Sequence, residues 1–195
     1  MKATRWTHDY DSHILQFFKL GNKGSKLTTI RECVWLLPPR GVILFCFNGT
    51  ALGDPGLAGF GTISRDHDGA VIGTISGGLG IASSYIAKSF SVIWAIEWAN
   101  KLKCDKIIIR ADLNSVVTDF QKGTVPWCFK TRWIKAKSSL SQLCYELCYK
   151  ETNFSSDSLS KRGAQMQMGQ VEHHIGKPAH LITIEMPNRK YYRIC

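Results

Sequence analysis

The alternation of apolar and polar residues divides the middle of the chain into short apolar runs and one long helical stretch. A continuous apolar run at residues 42–47 predicts a buried central strand. Residues 58–65 and 70–77 flank the turn sequence DHDG and predict an antiparallel hairpin, with Gly69 supplying a positive φ. A further apolar run within residues 105–112 predicts another buried strand.

Residues 83–103 have the spacing of a helix that packs one face against a core, with Ser83 or Ser84 as its N-cap. Glu97 lies about half a turn from Lys88 on such a helix, so Glu97 is expected to face water. The face expected to pack against the sheet carries Lys88, Val92, Ala95 and Ala99.

The second half of the chain predicts three shorter helices and one strand. The helices cover residues 113–123, 130–143 and 154–162, and the strand covers residues 144–150. Asn153 is expected to cap the last helix. The order of three strands, helix, strand, helices, strand and helix predicts an α/β fold, with a mixed five-stranded sheet and helices packed on it.

These elements place the domain boundaries. Residues 35–164 contain all of them and are expected to form one domain, for which a chain of 195 residues is long enough. Residues 1–34 are polar and weakly patterned, which is typical of an N-terminal extension or linker. Residues 165–195 are expected to form a C-terminal tail.

Composition narrows the class of protein. The 44% hydrophobic and 21% charged residues are typical of a soluble protein, and no apolar run reaches the roughly 18 residues of a membrane span. The chain starts without the apolar stretch of a signal peptide, so we expect an intracellular protein, in the nucleus or the cytoplasm, with no membrane partner. The 7 cysteines include no C-x-x-C pair, which argues against a zinc site, and most are expected to be reduced.

Charge adds a candidate partner. The net charge of +10 favours phosphate backbones, although such a charge also serves solubility alone. The stretch VPWCFKTRWIKAK interleaves aromatic and basic residues and predicts a nucleic-acid-binding helix. In the alternative interpretation, Trp133 and Ile134 pack on the core and the cations are only solvated. The candidate contacts are Lys130, Arg132, Trp133, Lys135 and Lys137.

Five motifs in order connect the chain with a known family. They are WLLPPRG, FNGTALGDPGLAGFGTISRDHDG, SSYIAKSFSVIWAIEWA, IIIRADLNSVV and KETNFSSDSLSKRGA, and they cover about residues 35–164. On these motifs, the sequence resembles the plant retroelement-type ribonuclease H domain of the reverse-transcriptase-like family. The resemblance implies a ribonuclease H-like fold and ancestral cleavage of RNA–DNA hybrids, in which four carboxylates hold two Mg²⁺ ions and a histidine assists proton transfer.

The resemblance also assigns the catalytic positions. It places the four family carboxylates at Asn48, Lys88, Asp112 and Asp157, and the family histidine at Leu147. Asp112 and Asp157 therefore retain the family residue. The other three positions are substituted.

These substitutions change the charge of the site. Four carboxylates carry about −4, whereas Asn48 (0), Lys88 (+1), Asp112 (−1) and Asp157 (−1) together carry −1. A lysine places a cation where a metal ion belongs, so we expect no metal cofactor and expect Lys88 to pair with Asp112 or Asp157. Without the resemblance, Asp112 would instead cap the following helix and Asp157 would pair with Lys161.

Two changes do not restore an intact site. Deamidation of the Asn48–Gly49 pair would restore an aspartate but would leave the other two substitutions in place. Three other carboxylates, namely Asp54, Asp66 and Glu97, are expected to lie outside the site.

Asp54 also bears on binding. It adds a negative charge to the GDPG turn, which in the family approaches the RNA strand, so hybrid binding is expected to be weak.

Three functions of different classes remain open. The first is a ribonuclease H-like nucleic-acid-binding domain of retroelement origin whose catalysis is impaired or lost. The second is an active metal-dependent RNA–DNA hybrid endonuclease. The third is a retroelement remnant or a protein-interaction scaffold, which exposed apolar residues in the tail would favour. The sequence does not identify protein partners.

Overall fold

The computed structural model describes residues 16–18 and 29–194 of the 195. The chain divides into two compact units. Residues 33–191 form the larger unit, which contains the main sheet and its helices. Of the described residues, 16–18, 29–32 and 192–194 belong to the second unit. No helix in the described part of the chain is long and apolar enough to cross a membrane.

The described residues form eight strands, four α-helices and one 3-10 turn at Lys150–Thr152. The helices are α1 (Ser84–Lys101), α2 (Asn114–Lys122), α3 (Trp127–Lys137) and α4 (Phe154–Ala164). The strands are β1 (Ile30–Val34), β2 (Ile43–Gly53), β3 (Gly56–Arg65), β4 (Val71–Ala82), β5 (Lys106–Ala111), β6 (Gln142–Leu147), β7 (Val171–Ile175) and β8 (Lys190–Ile194).

The main sheet is mixed, as the sequence predicts, and has the order β6-β5-β2-β3-β4-β7. Strands β2, β3, β4 and β7 pair antiparallel in that order, whereas β5 is parallel to both β2 and β6. A separate two-stranded sheet joins β1 and β8.

The sheet has six strands rather than the expected five, because β7 comes from the segment expected to be a tail. This strand, VEHHI, is short and largely polar, so it lacks the apolar run that reveals a central strand. Among the described strands, it pairs only with β4 and forms one edge of the sheet, where half-exposed residues are tolerated.

Two apolar clusters occupy opposite faces of the sheet, because successive residues of a strand point to opposite sides. On β2, Phe45 and Phe47 contribute to the larger cluster, which also contains residues of α1, α2 and α3. Leu44 and Cys46 contribute to the smaller one, together with Leu159 of α4. The face of α1 expected to pack against the sheet does so: Val92, Ala95 and Ala99 are buried.

The segment after β7 covers the second face of the sheet. Leu181 is buried in the smaller apolar cluster. Four residues further on, the Glu185 carboxylate forms a fully buried ion pair with Arg65, 2.5 Å between Oε2 and Nη2. The Arg65 guanidinium also stacks over the Trp35 ring at 4.6 Å. This part of the expected tail is therefore a packed element of the larger unit.

Glu185 also corrects the expected cap of α4. Asn153 occupies the N-cap position, but its side chain makes no capping bond and its amide instead donates to the Phe47 carbonyl at 3.1 Å. The backbone N–H of Ser155 donates to Glu185 Oε1 at 2.7 Å, and the Ser155 hydroxyl donates to Oε2 at 2.6 Å. A carboxylate from a distant segment thus caps this helix, as negative charge at a helix N-terminus favours.

The boundary between α3 and β6 also differs from the expectation. The helix ends at Lys137 rather than at residue 143, and β6 begins at Gln142. The hydroxyls of Ser138 and Ser139 donate to the carbonyls of Lys135 and Ala136, which satisfies carbonyls of the last helical turn. Serines that bond to the local backbone in this way favour helix ends over helix interiors.

Candidate functional site

The four positions that the resemblance assigns to carboxylates come from four elements: the middle of β2, α1, the residue after β5 and the first turn of α4. We call Asn48, Lys88, Asp112 and Asp157 the substituted site. Gly49 shows how closely β2 approaches α1 here: a Cβ at this position would lie 2.2 Å from the Lys88 backbone nitrogen. The site therefore requires glycine next to Asn48.

Asn48 is buried and held by three hydrogen bonds. Its Nδ2 donates to Asp157 Oδ1 at 2.9 Å, and its Oδ1 accepts from the Gly49 N–H at 2.9 Å. The Ser91 hydroxyl donates to its backbone carbonyl. The amide therefore donates to one retained carboxylate at a position where an aspartate would place a second negative charge.

Lys88 and Asp112 form the second contact of the substituted site. The Lys88 Nζ lies 3.5 Å from Asp112 Oδ1, and the two side chains are 15% and 12% exposed. Asp112 follows β5, and the N-cap of α2 is Leu113, with no capping bond from any side chain. Asp112 therefore pairs with Lys88 rather than capping the helix.

Asp157 also has a cationic partner. It lies in the first turn of α4, and its Oδ2 accepts from Lys161 Nζ at 2.7 Å, one helical turn later. Together with the bond from Asn48, both carboxylate oxygens are engaged. Adding Lys161 (+1) to the −1 of the substituted site gives a local charge of 0.

This donor set does not match a magnesium site. Mg²⁺ prefers several oxygen ligands in near-octahedral geometry, whereas here an ammonium and an amide occupy two of the four positions. Within residues 16–18 and 29–194, no group of three or more His, Cys, Asp or Glu side chains is placed to hold a metal ion.

Two thiols near the site are poor ligands at neutral pH. Burial, followed by the Glu185 charge, raises the pKa of Cys46 to about 11. Burial also raises the pKa of Cys148 above its usual range, with smaller contributions from Cys46 and Asp112. Both cysteines therefore stay protonated, and the thiolate is the form that binds metal or attacks as a nucleophile.

The remaining carboxylates considered in the sequence are engaged elsewhere. Asp54 Oδ1 accepts from the Ser84 N–H at the start of α1. Asp66 Oδ1 accepts from two backbone N–H groups of the β3–β4 turn. Leu147, at the histidine position, ends β6 with 53% of its side chain exposed and has no group that transfers a proton.

Glu97 does not simply face water, as the helical spacing suggests. It accepts two hydrogen bonds from the Arg132 guanidinium, at 2.9 and 2.8 Å. Arg132 also lies over the Phe90 ring at 5.5 Å. This residue of the basic helix is thus held against α1, which leaves it less free to contact phosphate.

Trp133 is a core residue rather than an exposed stacking platform. It is 8% exposed, and its Nε1 donates to the Tyr145 hydroxyl at 3.2 Å. Burial raises the pKa of Tyr145 to about 12, so this hydroxyl is neutral at physiological pH. Phe129 and Ala136 are buried on the same helix, and their spacing of four and three residues from Trp133 is the signal that would have revealed this face.

The exposed residues of α3 form a different set. Ile134 is 54% exposed, although the alternative interpretation places it in the core. Trp127, at the first position of the helix, is 89% exposed. Three candidate cations are also exposed, namely Lys130, Lys135 and Lys137.

Comparison with known proteins agrees with this architecture. The sequence profile described as "Reverse transcriptase-like" matches residues 46–163, which is more than half of the chain. No curated protein matches the chain.

Solved ribonucleases H share the fold. RNase H1 from the archaeon Halobacterium salinarum is 20% identical, with a TM-score of 0.58 over 63% of this chain and 96% of that chain. The N-terminal RNase H domain of a Mycobacterium tuberculosis protein is also 20% identical, with a TM-score of 0.58 over 64% and 99% of the two chains.

A third structure, LC11-RNase H1 isolated from compost, was solved in complex with an RNA/DNA hybrid. It is 21% identical to this chain, with a TM-score of 0.54 over 63% and 96% of the two chains. At this identity, the structural likeness concerns the fold. The profile match and the shared fold together show that the chain belongs to the reverse transcriptase-like family and contains a ribonuclease H-like domain.

Proposed function

We propose that this chain is a nucleic-acid-binding domain of the plant retroelement type, working inside the cell, that no longer cleaves RNA–DNA hybrids. The observation that carries the proposal is the pairing of both retained carboxylates. Asp112 faces the Lys88 ammonium, and Asp157 is bonded to Asn48 and Lys161. Each retained carboxylate is therefore already neutralised by a lysine of the protein.

The charge of the site argues against metal-dependent cleavage. When bound, two divalent ions activate the attacking water and stabilise the leaving oxygen of a phosphodiester. An ion about 4 Å from the Lys88 ammonium would be repelled by about 4 kcal/mol per unit of its charge in a surface-like dielectric. The site with Lys161 has a charge of 0, so it offers no net attraction to offset this repulsion.

Binding can persist without catalysis. LC11-RNase H1 holds an RNA/DNA hybrid on the same fold, and this chain carries a net charge of +10. The exposed cations of α3 can contact phosphates in a sequence-independent way. Because Arg132 is paired with Glu97 and the GDPG turn carries Asp54, we expect the binding to be weak.

The test is a cleavage assay on a labelled RNA–DNA hybrid in millimolar Mg²⁺ or Mn²⁺. We expect no cleavage above background from the wild-type chain. Binding to the same hybrid, measured by fluorescence anisotropy, should weaken as salt rises. Metal-dependent cleavage that disappears in Asp112→Asn protein would show instead that the chain is an active hybrid endonuclease.

One observation favours a second candidate, a protein-interaction scaffold. The segment after α4 exposes several large apolar side chains, and two of them, Ile182 and Met186, line the same pocket, as contiguous apolar surface at an interaction site does. If the chain binds no hybrid at any salt concentration, the scaffold function becomes the better account. The exposed residues are Met168 (80%), Ile175 (101%), Ile182 (82%) and Met186 (49%).

A further inference from the structure

The Lys88 ammonium is an incompletely satisfied cation inside the substituted site. Its side chain is 15% exposed, and its distance of 3.5 Å from Asp112 Oδ1 is long for a charge-assisted hydrogen bond. Among the described residues, the three N–H donors of Lys88 find no hydrogen-bond acceptor, and Asp112 Oδ1 is buried without a hydrogen-bond donor. Buried polar groups in proteins are normally satisfied, so the Asp112 oxygen is an exception, whereas the Lys88 side chain is 15% exposed and its N–H donors can be reached from solvent.

The neighbouring cation differs in this respect. Lys161 contacts Asp157 at 2.7 Å, and the second oxygen of Asp157 accepts from Asn48. Asp157 is therefore satisfied by groups of the protein itself. The unsatisfied donors of the site belong to Lys88, which points to an anionic ligand there rather than to a metal ion.

We propose that Lys88 binds a phosphate oxygen of the bound nucleic acid directly, at the place where family enzymes hold metal, so that binding needs no divalent ion. The inference rests on the proposed nucleic-acid-binding function and names one contact within it. A phosphodiester carries one negative charge and accepts the N–H donors that Asp112 leaves unfilled. Asp112 competes with the phosphate for the ammonium and thereby limits the affinity.

The experiment measures anisotropy of a labelled RNA–DNA hybrid, with EDTA and with Mg²⁺, across a salt series. The central variant is Lys88→Gln/Asp112→Asn, which removes the ammonium while keeping the net charge of the protein unchanged. Asp112→Asn alone removes the competitor. Lys106→Gln shows the long-range effect of losing one positive charge, which the double variant avoids, because this exposed lysine begins β5 at the end opposite Asp112.

We expect wild-type affinity to be equal in EDTA and in Mg²⁺. The double variant should bind several-fold more weakly than wild type, and the slope of log affinity against log salt should fall by about 0.9, the value of one phosphate contact on a duplex. Asp112→Asn should bind more tightly than wild type. Any change in Lys106→Gln measures the long-range effect of removing one charge, and the loss in the double variant should exceed it.

The outcomes separate the two proposals. If wild type does not bind the hybrid, the proposed function is wrong, and this inference is wrong too because it rests on that function. If wild type binds but the double variant binds equally well with the same salt slope, Lys88 is only a counterion for Asp112 and this inference alone is overturned. A requirement for Mg²⁺ would overturn it as well. Thermal melting of each variant shows whether a loss of binding reflects a loss of folding.

Discussion

Two ion pairs of this domain differ in how well their carboxylate oxygens are satisfied. The Arg65–Glu185 pair is fully buried, and both carboxylate oxygens of Glu185 accept further bonds from Ser155. The Lys88–Asp112 pair is 3.5 Å apart, partly exposed and without a hydrogen bond. The comparison teaches that the Glu185 carboxylate, which is built into the packing, has both oxygens hydrogen-bonded, whereas the Asp112 carboxylate is neutralised by a cation without a hydrogen bond to its buried oxygen.

Breaking the Arg65–Glu185 pair should produce the largest effect. Glu185→Gln leaves a buried guanidinium without its counterion and weakens the cap of α4, so the free energy of unfolding should fall by about 3–5 kcal/mol. Chemical denaturation at neutral pH measures it. A loss below about 1 kcal/mol would mean that the segment after β7 contributes little to the fold.

Restoring two carboxylates at the substituted site should give the next largest effect. Asn48→Asp/Lys88→Glu brings carboxylates together, so the melting temperature without metal should fall. Mg²⁺ should then raise the melting temperature. At a concentration 100 times the dissociation constant, the free energy of unfolding should increase by about 2.7 kcal/mol. Wild type, measured alongside, should hardly respond. A saturable response of wild type to Mg²⁺ would contradict the role given to Lys88.

Removing the Lys88–Asp112 pair as a unit should change stability by less than about 1 kcal/mol, because a partly exposed ion pair contributes little net free energy. Lys88→Gln alone should destabilise the fold more than Lys88→Gln/Asp112→Asn, since it leaves the Asp112 carboxylate without its cationic partner. Denaturation of the two single variants and the double variant gives the coupling energy. A coupling as large as that between Arg65 and Glu185 would erase the contrast between the pairs.

The exposed ion pair between Arg162 of α4 and Glu172 of β7 should have the smallest effect on stability. The hydrogen bond from Arg162 lowers the pKa of Glu172, so the pair stabilises the fold above the unfolded pKa of this carboxyl and loses that effect as pH falls through its folded pKa. Glu172→Gln should therefore cost little at pH 7 and nothing at pH 3 relative to wild type, in unfolding experiments at both values. A larger cost at pH 3 would reverse the expected sign.

The sequence predicts the sheet, its main helices and the location of the substituted site, because these depend on apolar periodicity and on the order of motifs. The sequence leaves open whether Lys88 pairs with Asp112 or with Asp157, since charge alone allows both pairings. Glu185 could not be connected with Arg65, because 120 residues separate them and neither lies in a motif. For Trp133, the composition of the helix leaves nucleic-acid contact and core packing open, although the buried stripe it shares with Phe129 is visible at helical spacing.

The contact between Gly49 and the backbone of α1 has a consequence for how such a domain can evolve. Because the two backbones touch at Ala87 and Lys88, the anchor points of the side chains are fixed by packing and not by the ligand. The residue at position 88 can therefore change from a carboxylate to an ammonium while its Cα stays in place. Under the proposed function, such a scaffold keeps the layout of a catalytic centre after cleavage is lost. It also offers engineers a rigid backbone on which the charges of the site can be changed.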